Sequence, residues 1–460
     1  MKFYWYRRRL LIRFHALRRQ YIGHRNFLIV VSFIIGLLSA LAAVLLKLTV
    51  QFFERRAGSI NDAMGSSWLT AIFPLIGTGV SLLILKYIFK GRLQRGVGFI
   101  TESVVRGEGR IPKRHLLGHI FTSSITVATG GSVGLEAPIV ATGAAVGSNT
   151  AQDLRLPSKD TVLLLACGAA GGIAAIFNSP IAGIVFTLEV LLLGFNIPFF
   201  IPLLISTATA TVVSQLLYPE KFFFFVFTGW NIRAIPFYIV LGVCCGFISI
   251  YVSAIVNKAE RFFHKRGFTW KTWLMGGIPL CVLVFVLPVL YGEGYHAITA
   301  LLHGNYDVLV SHSMFSGMPR NTAIILACIL LILVKAITAT LTTGAGGNGG
   351  IFAPSMIIGG LTGFLFAFVI NLTGIFPLNT PNFIIAAMAG VMAGVLHAPL
   401  TAIFLMAEIT GGYILFVPLM IVAALSYFIT RRYVRHSIYH QPLANKDLLP
   451  GDTLMYRDHF

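Results

Sequence analysis

Two glycine-rich segments interrupt long apolar runs of the chain, and they do so in the same way. Gly130–Pro138 reads GGSVGLEAP and Gly346–Pro354 reads GGNGGIFAP, so that five positions match at a constant spacing of 216 residues. A second pair of segments, Phe177–Glu189 and Leu396–Glu408, follows in the same order at a spacing of 219 residues. Two motifs that recur in order indicate an internal duplication. Paired halves with broken apolar segments predict a binding site where the halves meet.

The first glycine segment contains Glu136, the only charged residue between Leu116 and Asp153. A carboxylate at membrane depth is costly, and it usually marks a pathway for an ion or a proton. The preceding glycines let the backbone approach a ligand closely. A helix that begins just after Gly134 would direct its free N–H groups and positive dipole end at an anion. We therefore favour an anion site in which the carboxylate competes with the anion; a tight helix junction around a buried, protonated Glu is the alternative.

Eight apolar runs are long enough to cross a membrane, because a span needs about 18 or more apolar residues. Of the 460 residues, 56% are hydrophobic and 11% are charged, which excludes an ordinary soluble domain. Several runs far exceed one crossing, so each must hold more than one helix, including half-helices buried in protein or facing a watery cavity. The runs are 27–53, 68–89, 116–153, 161–218, 235–256, 273–291, 322–370 and 383–430.

The pattern predicts an all-α polytopic membrane protein of two repeats with broken and tilted helices. Gly96-Val97-Gly98 is predicted to open a half-helix over 99–105. The predicted divisions are a basic N-terminal segment (1–26), a first repeat (27–220), a linker (221–234), a second repeat (235–430), and a final helix with a polar tail (431–460).

The net charge of +19 comes from basic residues at the edges of the apolar runs. The segment 1–26 has eight Lys and Arg residues and no acid, and an amphipathic surface helix is predicted over 7–19. By the positive-inside rule, the basic clusters face the cytoplasm, which places both termini there. The partner predicted for this charge is therefore the membrane lipid and not a nucleic acid. The other clusters are 90–114, 258–271 and 431–435.

The cysteines lie in apolar runs and lack the spacing of metal sites or disulfide frameworks. We expect them to be small buried side chains, and we expect no metal and no other cofactor. They are Cys167, Cys244, Cys245, Cys281 and Cys328.

Over roughly residues 27–440, the motifs resemble those of the CLC family of chloride channels and chloride/proton antiporters. GLEAP at Gly134–Pro138 resembles the family's G-(Lys/Arg)-E-G-P motif, and GIFAP at Gly350–Pro354 matches the second family motif. The run AIFNSPIAGIVFTLE at Ala175–Glu189 is also similar to the family. The resemblance implies two inverted repeats and a homodimer with a separate anion pore in each subunit.

The resemblance also implies roles for individual residues. Glu136 would be the outer gating carboxylate, which alternates between plugging the pore and taking a proton. The backbone N–H groups of Ile351 and Phe352 would bind the central anion, and the Tyr439 hydroxyl would form the inner contact. On its own, Tyr439 would be interpreted as an interfacial aromatic residue. The implied anion-binding positions are Val97, Gly98, Gly134, Leu135, Ala137, Ile351, Phe352 and Tyr439.

Three positions depart from the family pattern. Val97 replaces a serine, so one hydroxyl ligand of the central anion is missing, which predicts weak chloride binding and poor discrimination among anions. Leu135 replaces a basic residue and weakens the outer field that gathers anions. Val190 replaces the inner acid that begins the proton route in family antiporters. The adjacent Glu189 should face elsewhere, because successive helix positions point about 100° apart.

These departures predict a passive chloride channel without proton coupling. A chloride/proton antiporter, in which water replaces the inner acid, and a fluoride-selective antiporter, suggested by Val97, are the alternatives. An intramembrane enzyme is a remote alternative, because the sequence has no HExxH motif. The acids Glu189 and Glu408 occupy equivalent repeat positions, which is typical of structural groups. We expect a protein of the prokaryotic plasma membrane that is not an enzyme.

Overall fold

The structure is a computed structural model, and it describes residues 23–64, 67–192, 197–219, 229–310, 315, 318–444, 446 and 448. Within these ranges the chain forms 17 α-helices, which we number α1 to α17. They are α1 His24–Met64, α2 Ser67–Leu83, α3 Gly98–Val105, α4 His115–Ala128, α5 Glu136–Asp153, α6 Ser158–Phe177, α7 Pro180–Glu189, α8 Ile197–Leu217, α9 Ile235–Arg266, α10 Trp270–Val286, α11 Tyr295–Leu302, α12 Arg320–Gly344, α13 Phe352–Thr373, α14 Thr380–Leu396, α15 Pro399–Ile409, α16 Phe416–Tyr433 and α17 Gln441–Ala444. A π-helical turn, Ile84–Ile88, extends α2, and 3₁₀ turns lie at Ile232–Ala234, Pro288–Leu290 and Tyr306–Leu309.

Long and short helices succeed one another in the same order from α1 to α8 and from α9 to α16. The half-helix predicted after Gly98 is α3, and its counterpart α11 also has 8 residues. The short helices α7 and α15 have 10 and 11 residues, and both begin with proline. Proline fits a first helical position because the N–H missing there would have no helical partner. This succession agrees with the predicted duplication. The division at 221–234 remains a prediction, since 221–228 lie outside the described residues.

Seven helices of the described chain are long and apolar enough to cross a membrane. They fall within His24–Arg56, Thr70–Ile88, Ser158–Phe177, Phe199–Leu217, Ile232–Arg266, Arg320–Gly344 and Phe352–Thr373. Four apolar helices, α7, α10, α14 and α15, have only 10–17 residues. Such short helices are stable at membrane depth only where protein covers their ends. The chain is thus a polytopic membrane protein of broken helices, as predicted.

Glycines let helices of each half pack in backbone contact. A Cβ added to Gly147 of α5 would lie 1.8 Å from the carbonyl oxygen of Leu164 in α6. In the second half, a Cβ on Gly363 of α13 would lie 2.1 Å from the carbonyl oxygen of Phe383 in α14. Small residues at helix interfaces allow this approach. The packing fixes α5 and α13, whose N-termini form the candidate site.

The five cysteines are free, as their spacing predicts. Three are buried and two, Cys244 and Cys281, are half-buried. The predicted surface helix over 7–19 lies outside the described residues, as do most of the basic segment 1–26 and tail positions 445, 447 and 449–460. The helix α16 continues to Tyr433, three residues beyond the predicted end of the second repeat.

Candidate functional site

The two glycine segments form matching turns that meet each other. Gly130 and Gly346 have φ angles of 92° and 103°, a region that favours glycine. Farther along, Gly134 and Gly350 exchange two backbone hydrogen bonds of 3.0 and 2.9 Å in an antiparallel bridge. A Cβ on Gly350 would lie 2.8 Å from the Cβ of Ala137, so the contact needs glycine. The antiparallel pairing of equivalent loops agrees with inverted repeats.

Two helix N-termini come together at this bridge. The helix α5 begins at Glu136 and α13 begins at Phe352, each two residues after its bridging glycine. The first N–H groups of a helix have no partner within the helix, and they form the positive end of its dipole. A Cβ on Gly134 would lie 2.7 Å from the Cβ of Ala353, which shows how closely the two ends approach. Such a junction is suited to an anion.

The carboxylate of Glu136 occupies the junction. Glu136 is only 3% exposed, and its Oε1 accepts a hydrogen bond of 2.8 Å from the Tyr295 hydroxyl. Its buried Oε2 has no hydrogen-bond partner of ordinary geometry among the described residues. That oxygen lies over Gly134, and the backbone N–H of Ala353 interacts with the carboxylate from the start of α13. The side chain therefore fills space between the two helix ends that an anion would otherwise take.

Two backbone groups predicted to bind the anion already have acceptors. The N–H of Gly134 donates to Gly350 in the bridge. The N–H of Leu135 donates to Oε1 of Glu293 over 3.1 Å. A second carboxylate, which sequence reasoning missed, thus contacts the start of α5. The only sequence signal for Glu293 is an acid between two glycines directly after an apolar run.

The start of α13 is built differently. Phe352 is 1% exposed, and its ring centroid lies 5.7 Å from that of Phe177 and 6.5 Å from that of Phe186. Ile351 is buried as well. Aromatic packing at these distances fixes the backbone that presents the first N–H groups of α13.

The predicted inner contacts also come together. A Cβ on Gly98 would lie 3.4 Å from the carbonyl oxygen of Tyr439, which lies in the turn before α17. Tyr439 is buried. Val97, the residue before α3, is 1% exposed. The structure thus places Tyr439 and the loop before α3 side by side.

Val190 lies at the same inner end. Its side chain is 1% exposed, and its carbonyl oxygen lies 2.9 Å from Nε2 of His440. The hydroxyl of Thr101 donates to the same oxygen over 3.4 Å. A titratable imidazole therefore contacts the position where family antiporters have an acid.

The paired acids Glu189 and Glu408 cap helices in a reciprocal arrangement. Glu189 accepts hydrogen bonds of 2.9 and 2.7 Å from the N–H groups of Leu400 and Thr401 at the start of α15. Glu408 accepts bonds of 3.0 and 2.9 Å from the N–H groups of Ile181 and Ala182 at the start of α7. Carboxylates are favourable at helix N-termini. This geometry agrees with the structural role predicted for both acids.

A cavity of about 210 Å³ lies against Glu136. Its charged lining consists of three carboxylates and one amine, and its polar lining includes two tyrosines and one glutamine. The polar and charged residues are Lys47, Gln51, Glu54, Glu136, Tyr218, Glu293 and Tyr295. The cavity gives Glu136 an acid-rich surrounding that the motifs did not predict.

The loop that contributes Glu293 is attached to the first glycine segment. Buried Lys335 donates from Nζ to Oγ of Ser132 over 2.8 Å and to the carbonyl oxygen of Gly292 over 3.0 Å. The N–H of Gly292 donates to the carbonyl oxygen of Gly130 over 3.2 Å. In the sequence Lys335 is a lone charge in the middle of an apolar span. In the structure it links the loop of Glu293 to the first glycine segment.

A buried histidine pair connects α4 with the second glycine segment. Nδ1 of His115 lies 3.0 Å from Nε2 of His119, and Nδ1 of His119 lies 3.1 Å from Nδ2 of Asn348. Phe99, in α3, packs on both imidazoles at centroid distances of 4.8 and 6.2 Å. Sequence reasoning missed this pair, although its spacing of four residues places both rings on one helix face.

Comparisons with known proteins agree with this architecture. Residues 76–431 match the family model described as voltage gated chloride channel. The chain is 28% identical over 432 residues to the H(+)/Cl(-) exchange transporter ClcA of Vibrio vulnificus, with 87% of this chain and 86% of that protein covered. It is 26% identical to the voltage-gated ClC-type chloride channel ClcB of Escherichia coli, covering 90% of this chain and 98% of that protein.

Solved structures share the fold. One is a slow cyanobacterial Cl−/H+ antiporter, with a TM-score of 0.76 and 21% identity over 93% of this chain and 99% of that chain. Another is a CLC-type fluoride/proton antiporter, with a TM-score of 0.70 and 22% identity over 91% of this chain and 98% of that chain. The family model covers well over half of the chain. The chain therefore belongs to the voltage gated chloride channel family, the CLC family of membrane anion transport proteins.

Proposed function

We propose that this protein exchanges chloride for protons and that Glu136 is its gating carboxylate. The observation that carries this proposal is the position of the Glu136 side chain between the helix N-termini that would hold the anion. The similarity to a named exchange transporter over most of both chains supports exchange. This proposal replaces the expectation of a passive channel as the first candidate.

Protonation would open the pathway. An ionised Glu136 is attracted by the positive helix ends of α5 and α13, whereas a neutral carboxyl is attracted much less. A proton from the outer cavity would therefore release Glu136 and leave the junction to chloride. Chloride flux is expected to rise as external pH falls.

An exchanger also needs a proton route on the inner side, and Val190 cannot titrate. The imidazole of His440 contacts the Val190 carbonyl and follows directly after Tyr439. Histidine ordinarily titrates near neutral pH, and burial lowers the pKa of His440, so its imidazole would hold a proton only transiently, as a relay does. We propose that His440, together with water, takes the role of the missing acid.

The decisive experiment imposes a chloride gradient on proteoliposomes and follows internal pH with a trapped dye. Chloride-driven uphill proton movement is expected for the wild type. Glu136→Gln should retain chloride flux and lose proton movement, whereas a variant of an exposed carboxylate, Glu108→Gln, should match the wild type. His440→Phe should slow proton movement more than chloride movement. Uphill proton transport that persists unchanged in Glu136→Gln would contradict the proposed role.

Passive chloride conduction is the second candidate, and the buried Val190 side chain favours it. A channel would show chloride flux without linked proton movement in the same experiment. The reversal potential separates the two candidates independently, because a channel follows the chloride gradient alone and an exchanger follows both gradients.

Fluoride selectivity is tested in the same liposomes. Val97 lacks the hydroxyl of the family serine, and a fluoride/proton antiporter shares the fold. Efflux of each anion measured with ion-selective electrodes should favour chloride. Fluoride efflux much faster than chloride efflux would assign the protein to the fluoride alternative.

We further propose a homodimer in a bacterial plasma membrane, with both termini in the cytoplasm and each subunit carrying its own pathway. The basic residues at the edges of the first and last spans support this orientation. Cysteines introduced at each terminus of a cysteine-free variant should be labelled by an impermeant maleimide only in inside-out vesicles. Crosslinking in liposomes should give dimers.

A further inference from the structure

We propose that Glu293 is a second gating carboxylate, which occupies the outer anion position at the start of α5 while Glu136 occupies the junction with α13. The inference rests on the proposed gating role of Glu136 and adds a second plug to the same pathway. A conducting pathway would then require both carboxylates to leave.

The contact between Glu293 and Leu135 carries the proposal. Oε1 of Glu293 accepts the Leu135 N–H over 3.1 Å. Leu135 precedes the first residue of α5, so this N–H belongs to the positive end of the helix. A chloride ion at the outer mouth would need the same donor. Glu293 and an anion are therefore alternative ligands of one backbone group.

A single loop controls both carboxylates. Glu293 contacts Leu135, and Tyr295, two residues later, donates its hydroxyl to Oε1 of Glu136 over 2.8 Å. Lys335 holds the loop through the Gly292 carbonyl oxygen at 3.0 Å. The loop is thus positioned before any anion arrives, and Glu293 needs only a side-chain rotation to uncover the Leu135 N–H.

The polar atoms around the two acids leave one oxygen available to a ligand or a proton. Oε2 of Glu136 is buried without a hydrogen-bond partner of ordinary geometry among the described residues. An unpaired buried oxygen is costly, and protonation or a bound donor would relieve that cost. Two ionised carboxylates in one cavity also repel each other. Protonation of either acid removes this repulsion, so the other carboxylate stays ionised at its site more easily. Release of both therefore requires about two protons.

The charged and titratable groups that face Glu293 come from four helices and from its own loop. They include two carboxylates and two lysines, so the positive charge is balanced and does not hold both gating carboxylates permanently ionised. They are Lys47 and Glu54 of α1, Glu136 of α5, Tyr295 of α11, Lys335 of α12 and Tyr291 of the loop.

The first test is the dependence of chloride flux on external pH in proteoliposomes. With two proton-released plugs, the logarithm of flux should rise with a slope of about 2 per pH unit in wild type. The slope should fall to about 1 in Glu293→Gln and in Glu136→Gln, and to about 0 in the double variant. Glu108→Gln is the control, because Glu108 is an exposed carboxylate that does not line this cavity and should leave the slope unchanged.

The second test measures anion binding directly. Glu293→Gln and Glu293→Ala free the Leu135 N–H from a charged competitor, so outer-site affinity for bromide should rise by about tenfold or more. Diffraction from bromide-soaked crystals should then show an anomalous peak beside Leu135 that wild type lacks. Thermal melting in detergent checks that the variants fold.

The outcomes separate the two proposals. If Glu136→Gln abolishes proton coupling but both Glu293 variants keep the wild-type slope and show no new bromide peak, Glu293 is only a structural ligand of α5. That result overturns this inference and leaves the proposed function intact. If Glu136→Gln itself keeps wild-type coupling, the proposed function fails first.

Discussion

The two glycine segments differ at four of their nine positions, and at the start of the helices the first has a carboxylate beside a polar cavity whereas the second has a buried phenyl ring. Glu136 begins α5 in the first segment, whereas Phe352 begins α13 in the second. Glu136 borders a polar cavity, and among the described residues its Oε2 has no hydrogen-bond partner of ordinary geometry. Phe352 packs between the rings of Phe177 and Phe186.

The two halves share a backbone arrangement, but their side chains make the site asymmetric. The backbone is the same on both sides of the bridge, because Gly134 and Gly350 each donate one hydrogen bond to the other. The side chains differ, because a carboxylate can take up a proton and a buried phenyl group cannot. Under the proposed function, the first half would supply the gate and the second half the backbone N–H groups that bind the anion.

The largest expected effect comes from removing the charge that distinguishes the two segments. In Glu136→Gln, the neutral amide is attracted less strongly to the helix N-termini. External pH should therefore no longer control chloride flux through this residue. At alkaline external pH, where wild-type Glu136 is ionised, chloride flux should rise by about tenfold or more. Radioactive chloride uptake measures this. A pH profile with the wild-type shape would mean that another group gates the pathway.

The paired acids test the symmetry that the two halves retain. Glu189→Gln and Glu408→Gln should each lower stability by roughly 1.5–3 kcal/mol, because each weakens charge-assisted hydrogen bonds from two N–H groups of a helix N-terminus. The loss should be larger for Glu189→Gln, because Glu189 also accepts a hydrogen bond of 2.7 Å from the Thr401 hydroxyl. Thermal melting of both variants in one detergent makes the comparison. Loss of proton coupling by Glu189→Gln alone, at unchanged stability, would assign that acid a transport role instead.

Val97, in the loop before α3, allows a test of how the protein binds its anion. Val97→Ser restores a hydroxyl at the inner side, and a hydrogen bond to an anion is worth about 1.5–3 kcal/mol, so chloride affinity should rise roughly tenfold. Isothermal titration with chloride and nitrate measures both affinity and discrimination. Val97→Ala is the control, because it removes volume without adding a donor. Equal affinities in the two variants would show that residue 97 does not face the anion.

The smallest expected effect concerns the half-helix α3, which an ion pair ties to the C-terminal segment. Nζ of Lys446 lies 2.7 Å from Oε2 of Glu102, and this lysine, together with Arg106, holds the pKa of Glu102 below its usual range. A lowered carboxyl pKa stabilises the fold above the ordinary pKa of Glu, and the stabilisation is lost as pH falls through the lowered value. Lys446→Ala should cost less than about 1 kcal/mol at neutral pH and nothing at strongly acid pH. Melting curves at both pH values check this sign, with Lys159→Ala as a control lysine outside the pair.

Much of the helical plan was predictable because glycine, proline and apolar length act locally. The run 161–218 is too long for one crossing, and the structure divides it among α6, α7 and α8, with Pro180 opening α7. The sequence predicts a final helix in the segment that contains Tyr439, whereas the structure has a turn there before the four-residue helix α17.

The groups that surround Glu136 were not predictable from the motifs. Glu293 lies 158 positions from Leu135 along the chain, and its loop resembles any polar connection between membrane helices. The hydrogen bonds of Lys335 and the histidine pair joined to Asn348 depend in the same way on segments far apart in sequence. Hydrogen bonds of this kind depend on distance in space, which local propensity does not encode.

The sequence by itself determined the membrane class, the duplicated order of helices and the carboxylate at the start of α5, because hydropathy, helix breaking and a lone buried charge follow from residue type alone. Only the tertiary structure decided which groups surround that carboxylate. It brought Glu293 to the Leu135 N–H, Tyr295 to Glu136 and His440 to Val190, because backbone hydrogen bonds and close helix packing fix the relative positions of distant loops.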